Sequence, residues 1–88
     1  MPQLDARPRL RVQVRLFASF REAAGTTHLT CELDDGARVS DLLAQLAERI
    51  PALGATRGLV AVNQSYVDAD AVLHDHDEVA LIPPVSGG

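Results

Sequence analysis

The residues best suited to chemistry lie at the end of the chain. Ile82-Pro83-Pro84-Val85-Ser86-Gly87-Gly88 closes on two glycines. Without Cβ atoms, a diglycine can enter a channel too narrow for any other pair of residues. Pro83 and Pro84 fix φ and favour an extended path, so the tail 83–88 is expected to project rather than fold back. An α-carboxylate on Gly88 titrates at about 3.3–3.7 and is anionic at neutral pH, a nucleophile able to attack a nucleotide phosphate. The ordinary alternative is a frayed end of small residues.

Other reactive residue types fit structural roles better. Cys31 could hold sulfur as a persulfide, but that needs an exposed thiolate of low pKa. It alternates with Leu29 and Leu33 on an inward face, where a free cysteine behaves as a small hydrophobe. His74-Asp75-His76-Asp77-Glu78 gathers imidazoles and carboxylates on one turn. No second cluster completes a coordination shell, so it reads as a solvated polar loop and no metal is expected. Arg9, Arg11 and Arg15 share one strand face with no aromatic residue between them. That favours a solvated face or a protein-docking patch over nucleic acid. No glycine-flanked serine elbow and no phosphate-cradling glycine loop is present. Phe17 and Phe20 bracket a helical turn, both suited to the core and one of them to exposure for a partner.

The elements that must position these residues follow from periodicity. From Arg9 to Phe17, Leu10, Val12, Val14 and Leu16 alternate with polar residues, which predicts a half-buried strand. Ser19 and Glu22 have capping-box spacing, predicting a short helix Ser19–Ala24 closed by Gly25. Thr27–Leu33 alternates again, and Asp34-Asp35-Gly36 makes a turn. Ser40 and Asp41 open the main helix, with Leu42, Leu43, Leu46, Ala47 and Ile50 buried and Gln45, Glu48 and Arg49 facing water. Pro51 stops it, and residues 51–58 read as a loop. Leu59–Asn63 is a short strand that Gln64-Ser65 turns into Tyr66-Val67, and Glu78–Ile82 is the last strand. Strands grouped around one helix indicate an α+β domain.

Composition agrees with one small globular unit. The 88 residues are 47% hydrophobic and 23% charged, which argues against disorder. No apolar run reaches the roughly 18–20 residues of a membrane span, so no membrane partner is expected. The first residues lack the apolar stretch of a signal peptide, and one cysteine cannot form an intrachain disulfide; a cytoplasmic location is expected. All eight basic residues are arginine, and none is lysine. Five arginines against one acid give the first 21 residues a charge of +4, while the remaining 67 carry −8. The overall acidity disfavours nucleic acid as a partner.

Two segments resemble a known family. Val14–Gly25 (Val-Arg-Leu-Phe-Ala-Ser-Phe-Arg-Glu-Ala-Ala-Gly) and Val79–Gly88 (Val-Ala-Leu-Ile-Pro-Pro-Val-Ser-Gly-Gly) resemble the MoaD family, the small, sulfur-carrying subunit of molybdopterin synthase. The likeness runs from about Leu10 to Gly88 and is specific at these two ends. The turn His74-Asp75-His76-Asp77 departs from it, since relatives more often carry Gly-Asp there.

The resemblance implies a ubiquitin-like β-grasp: a mixed sheet of four to five strands packed on one main helix. A leader at 1–8, a domain at 9–82 and a tail at 83–88 are expected. It further implies a carrier that is not catalytic alone and keeps no cofactor permanently bound. A MoeB-like enzyme would use ATP to adenylate Gly88, and sulfur from a donor would displace AMP to leave a thiocarboxylate. The tail would then enter a MoaE-like large subunit and pass sulfur to cyclic pyranopterin monophosphate. Pro83, Pro84, Val85, Ser86, Gly87 and Phe17 are the expected partner-binding residues, with Val85 and Phe17 in an exposed apolar patch. A thiamine-pathway carrier shares the fold and the diglycine, but Ile82-Pro83-Pro84-Val85 and Leu16–Arg21 favour the molybdopterin side. A lysine-conjugated modifier and a small adaptor with an inert tail are the remaining alternatives.

Overall fold

The computed structural model describes residues 9–53 and 58–83. The expected leader and residues 84–88 of the expected tail lie outside the described residues. The first strand, β1 (Arg9–Leu16), is the spine of the core. Its strict alternation buries Leu10, Val12, Val14 and Leu16 and exposes Arg9, Arg11, Gln13 and Arg15. Burying such side chains contributes roughly 1.5–3 kcal/mol each.

The chain then turns into α1 (Ala18–Ala24), where Ala18 takes a left-handed φ of +50°. Ser19 does not cap this helix. The Phe17 carbonyl already accepts the Phe20 N–H at 3.0 Å, so the helix begins before Ser19. Its end is as expected, with Gly25 at φ +74° and its N–H on the Arg21 carbonyl.

The second strand, β2 (His28–Asp34), pairs antiparallel with β1 and buries Cys31 and Leu33. The main helix, α2 (Val39–Arg49), starts at Val39 rather than Ser40. Asp41 makes its capping bond, accepting the Arg38 N–H at 2.8 Å. Val39, Leu42 and Leu46 are fully buried against the sheet. Gln45 and Arg49 are not simply turned to water, since both side chains reach back to carbonyls of β2. Pro51 opens a single 3-10 turn, Pro51–Leu53, and Leu53 joins the core.

The remaining strands are β3 (Leu59–Val62), β4 (Ser65–Tyr66) and β5 (Glu78–Ile82). The turn between β3 and β4 is centred on Asn63 and Gln64, at φ +51° and +73°, one residue earlier than expected. Asparagine tolerates that conformation. Its N–H donates to the Glu78 carbonyl at 2.8 Å and its side-chain oxygen accepts the Glu78 N–H at 3.0 Å, which pins the turn to the start of β5. The sheet order is β2-β1-β5-β3-β4, with β5 parallel to β1 and every other pair antiparallel. This is the expected α+β arrangement, with five strands and the main helix on one face. Among the described residues, no helix is long and apolar enough to cross a membrane.

Candidate functional site

The sheet face opposite α2 carries the candidate site. On β5, Val79 and Leu81 enter the core, so Glu78, Ala80 and Ile82 face the other way. Register places Ala61 beside Ala80 and Leu59 beside Ile82, and Ala61 is in turn paired with Tyr66. Arg15 lies next to Ala80 on β1, and Phe17 continues its parity. Ala61, Ala80 and Ile82 shape a hollow of about 280 Å³ with small alanines at its base, flanked by Phe17 and Tyr66 and rimmed by Arg15, Gln64 and Glu78. Phe17 is 39% exposed and Tyr66 69%, unusual for large aromatic side chains.

The rim is polar and nearly neutral. The Arg15 guanidinium sits 5.6 Å over the Phe17 ring and 3.5 Å from a Glu78 carboxylate oxygen. Arg11 is likewise paired with Glu32 at 2.9 Å, which holds the Glu32 carboxyl below its ordinary range. Two members of the arginine stripe therefore have acidic neighbours, and only part of its charge is free to act at a distance.

Ile82 lines this hollow, and Pro83 follows it at the end of β5. Gly58 backs that strand end at φ +145°. A Cβ there would run into the Ile82 carbonyl oxygen and lie 3.2 Å from the Pro83 Cα. Only glycine lets the start of β3 pass so close to Ile82 and Pro83.

Of the sequence-derived site residues, Phe17 is on the open face and Pro83 is at the strand end, half-buried. Pro84, Val85, Ser86, Gly87 and Gly88 lie outside the described residues. Sequence reasoning missed Tyr66, Ala80, Ile82 and Gly58. Parity along Glu78–Ile82 could have exposed Ala80 and Ile82, but the pairing with β3 and β4 could not be read from local pattern.

The other candidates hold the fold together. Cys31 is fully buried; burial pushes its thiol up, and Arg49, 3.4 Å from the sulfur, only partly opposes this. Such a thiol stays protonated at neutral pH and makes a poor nucleophile. In the His74–Asp77 turn, Asp75 accepts the Arg11 N–H at 2.8 Å. Buried Asp77 accepts the His74 N–H at 2.8 Å and the Asn63 amide at 2.9 Å. These carboxylates tie the turn to β1 and to the β3–β4 connection, while both imidazoles point to solvent.

Known proteins share this arrangement. A family model described as ThiS family matches residues 14–88. The chain is 48% identical over 84 residues to the molybdopterin synthase sulfur carrier subunit of Chlamydomonas reinhardtii, covering 90% of this chain and 100% of that one. A solved structure from Pyrococcus furiosus, a putative molybdopterin converting factor subunit 1, is 35% identical with a TM-score of 0.79. That match covers 86% of this chain and 99% of the other. SAMP1 of Haloferax volcanii, a small archaeal modifier protein, is 32% identical with a TM-score of 0.80, covering 89% and 99%. The fold, the match across residues 14–88 and the 48% identity make this chain a member of the ThiS family, on its MoaD-like, ubiquitin-like side.

Proposed function

We propose that this chain is the sulfur carrier of a molybdopterin synthase and that Gly88 bears the sulfur. The observation that carries the reading is the open apolar hollow at the tail root, where a docked partner would also receive the arm. In the first step the Gly88 carboxylate attacks the α-phosphorus of ATP on a MoeB-like enzyme. Pyrophosphate leaves and an acyl adenylate forms. A sulfur nucleophile from a donor then attacks the carbonyl carbon, AMP leaves, and a thiocarboxylate remains. The MoaE-like large subunit takes the loaded arm and directs its sulfur to cyclic pyranopterin monophosphate. Acyl adenylates and thiocarboxylates hydrolyse in water, which is why a tight, water-excluding dock beside the arm matters. Five residues beyond Pro83 reach at most about 18 Å, so the partner's reactive centre must lie within that distance of Pro83.

A second reading shares the activation step. The likeness to SAMP1 supports transfer of the activated Gly88 carbonyl to a lysine amine of another protein. This chain has no lysine, so the product could not be a lysine-linked chain of itself. Intact-mass measurement after incubation with activating enzyme, ATP and a sulfur donor tests the carrier reading. The expected result is a gain equal to sulfur replacing oxygen, localised to the C-terminal peptide. An unchanged mass with active partners would overturn it, and an isopeptide remnant on other proteins would favour the modifier.

A further inference from the structure

The outer strand β2 has its backbone acceptors filled from within the chain. It closes one side of the sheet, and at seven residues it is much longer than the opposite edge, the two-residue β4. A bare edge of that length is a template for pairing with another chain. Leu16 donates its N–H to the Thr27 carbonyl, so Thr27, Leu29, Cys31 and Leu33 direct their backbone groups at β1. By the alternation of an antiparallel ladder, His28, Thr30, Glu32 and Asp34 direct theirs outward.

All four outward carbonyls have a donor. The Thr26 hydroxyl donates to His28 at 3.1 Å, and the Ala37 N–H donates to Asp34 at 3.0 Å. Between them, Arg49 Nη1 donates to Thr30 at 3.2 Å and Gln45 Nε2 donates to Glu32 at 3.1 Å. Gln45 and Arg49 are four residues apart on α2 and so lie on one side of the helix, the side overhanging the strand.

Side-chain chemistry along β2 would not by itself prevent self-pairing. A two-fold antiparallel pairing centred on Thr30 sets His28 of one copy opposite Glu32 of the other, and no like charges meet. We propose that Gln45 and Arg49 guard this edge, occupying the Thr30 and Glu32 carbonyls that β2 of a second copy would otherwise use. The guard leaves the open face and the tail root as the surfaces offered to partners.

The test replaces both donors while keeping helix propensity and side-chain length, as Gln45→Met with Arg49→Met. Sedimentation across a concentration series compares this double variant with the unsubstituted chain, and hydrogen exchange follows the Thr30 and Glu32 amides in both. The expected result is self-association tightened by roughly tenfold or more, with those two amides becoming protected as concentration rises. A folded double variant that associates no more than the parent overturns the proposal. So does a dimer in which the Thr30 and Glu32 amides exchange as in the monomer, because another surface is then responsible.

Discussion

Phe17 contributes the largest apolar side chain to the proposed dock, and its exposure costs the free protein the burial it would gain against a partner. Phe17→Ala is expected to weaken binding of the MoaE-like subunit by about 1–3 kcal/mol, as interface aromatics commonly do. The melting temperature should hardly move, because the core aromatic of this region is Phe20. Calorimetric titration reads the affinity, and an unchanged value removes Phe17 from the interface. Local pattern offered Phe17 and Phe20 as a pair without sorting them, and the family resemblance put Phe17 on the exposed side. Strand parity sorts them: Phe17 extends the solvent-facing set of β1, whereas Phe20 returns over the core on the first turn of α1. Cys31 was legible for the same reason, since alternation along β2 puts it inside. The contacts of Arg49 with Thr30 and Cys31 were not legible, because they join residues 19 and 18 positions apart in the sequence.

Among the elements, the junction of β3 with the end of β5 leaves no room for a side chain at Gly58. Gly58→Ala is expected to lower stability by about 1–3 kcal/mol, through both the positive φ and the collision with Ile82 and Pro83 backbone. It should also slow sulfur loading beyond what the melt explains, since the tail root is displaced. Thermal melts paired with the mass assay separate the two effects; loading at the parental rate would remove Gly58 from aiming the tail. Local pattern placed Gly58 in a loop, and its neighbour across the sheet lies 24 positions away. Long periodic elements were legible almost to the residue: β5 was expected at Glu78–Ile82 and is found there. Errors fell at element ends, where competing hydrogen bonds decide. Phe17 displaced Ser19 as the cap of α1, and the β3–β4 turn began at Asn63, whose left-handed φ of +51° ends the strand.

For the whole molecule, the proposed division of labour is between a domain that is recognised and an arm that reacts. Deleting Gly88 moves the terminal carbonyl back by one residue, about 3.3–3.6 Å, and a misplacement of about 1 Å can cost a hundredfold in rate. Single-turnover formation of molybdopterin should therefore collapse while the thermal melt stays at its parental value. Product at a near-parental rate would refute the role given to Gly88. β5 lies in the middle of the sheet, held along one side by the parallel ladder to β1 and along the other by the antiparallel ladder to β3. Force applied along β5 loads both ladders in shear, so their bonds must yield together instead of peeling one at a time. In the proposed carrier, an enzyme that grips the end of the chain and pulls along that line is therefore expected to haul the domain along intact.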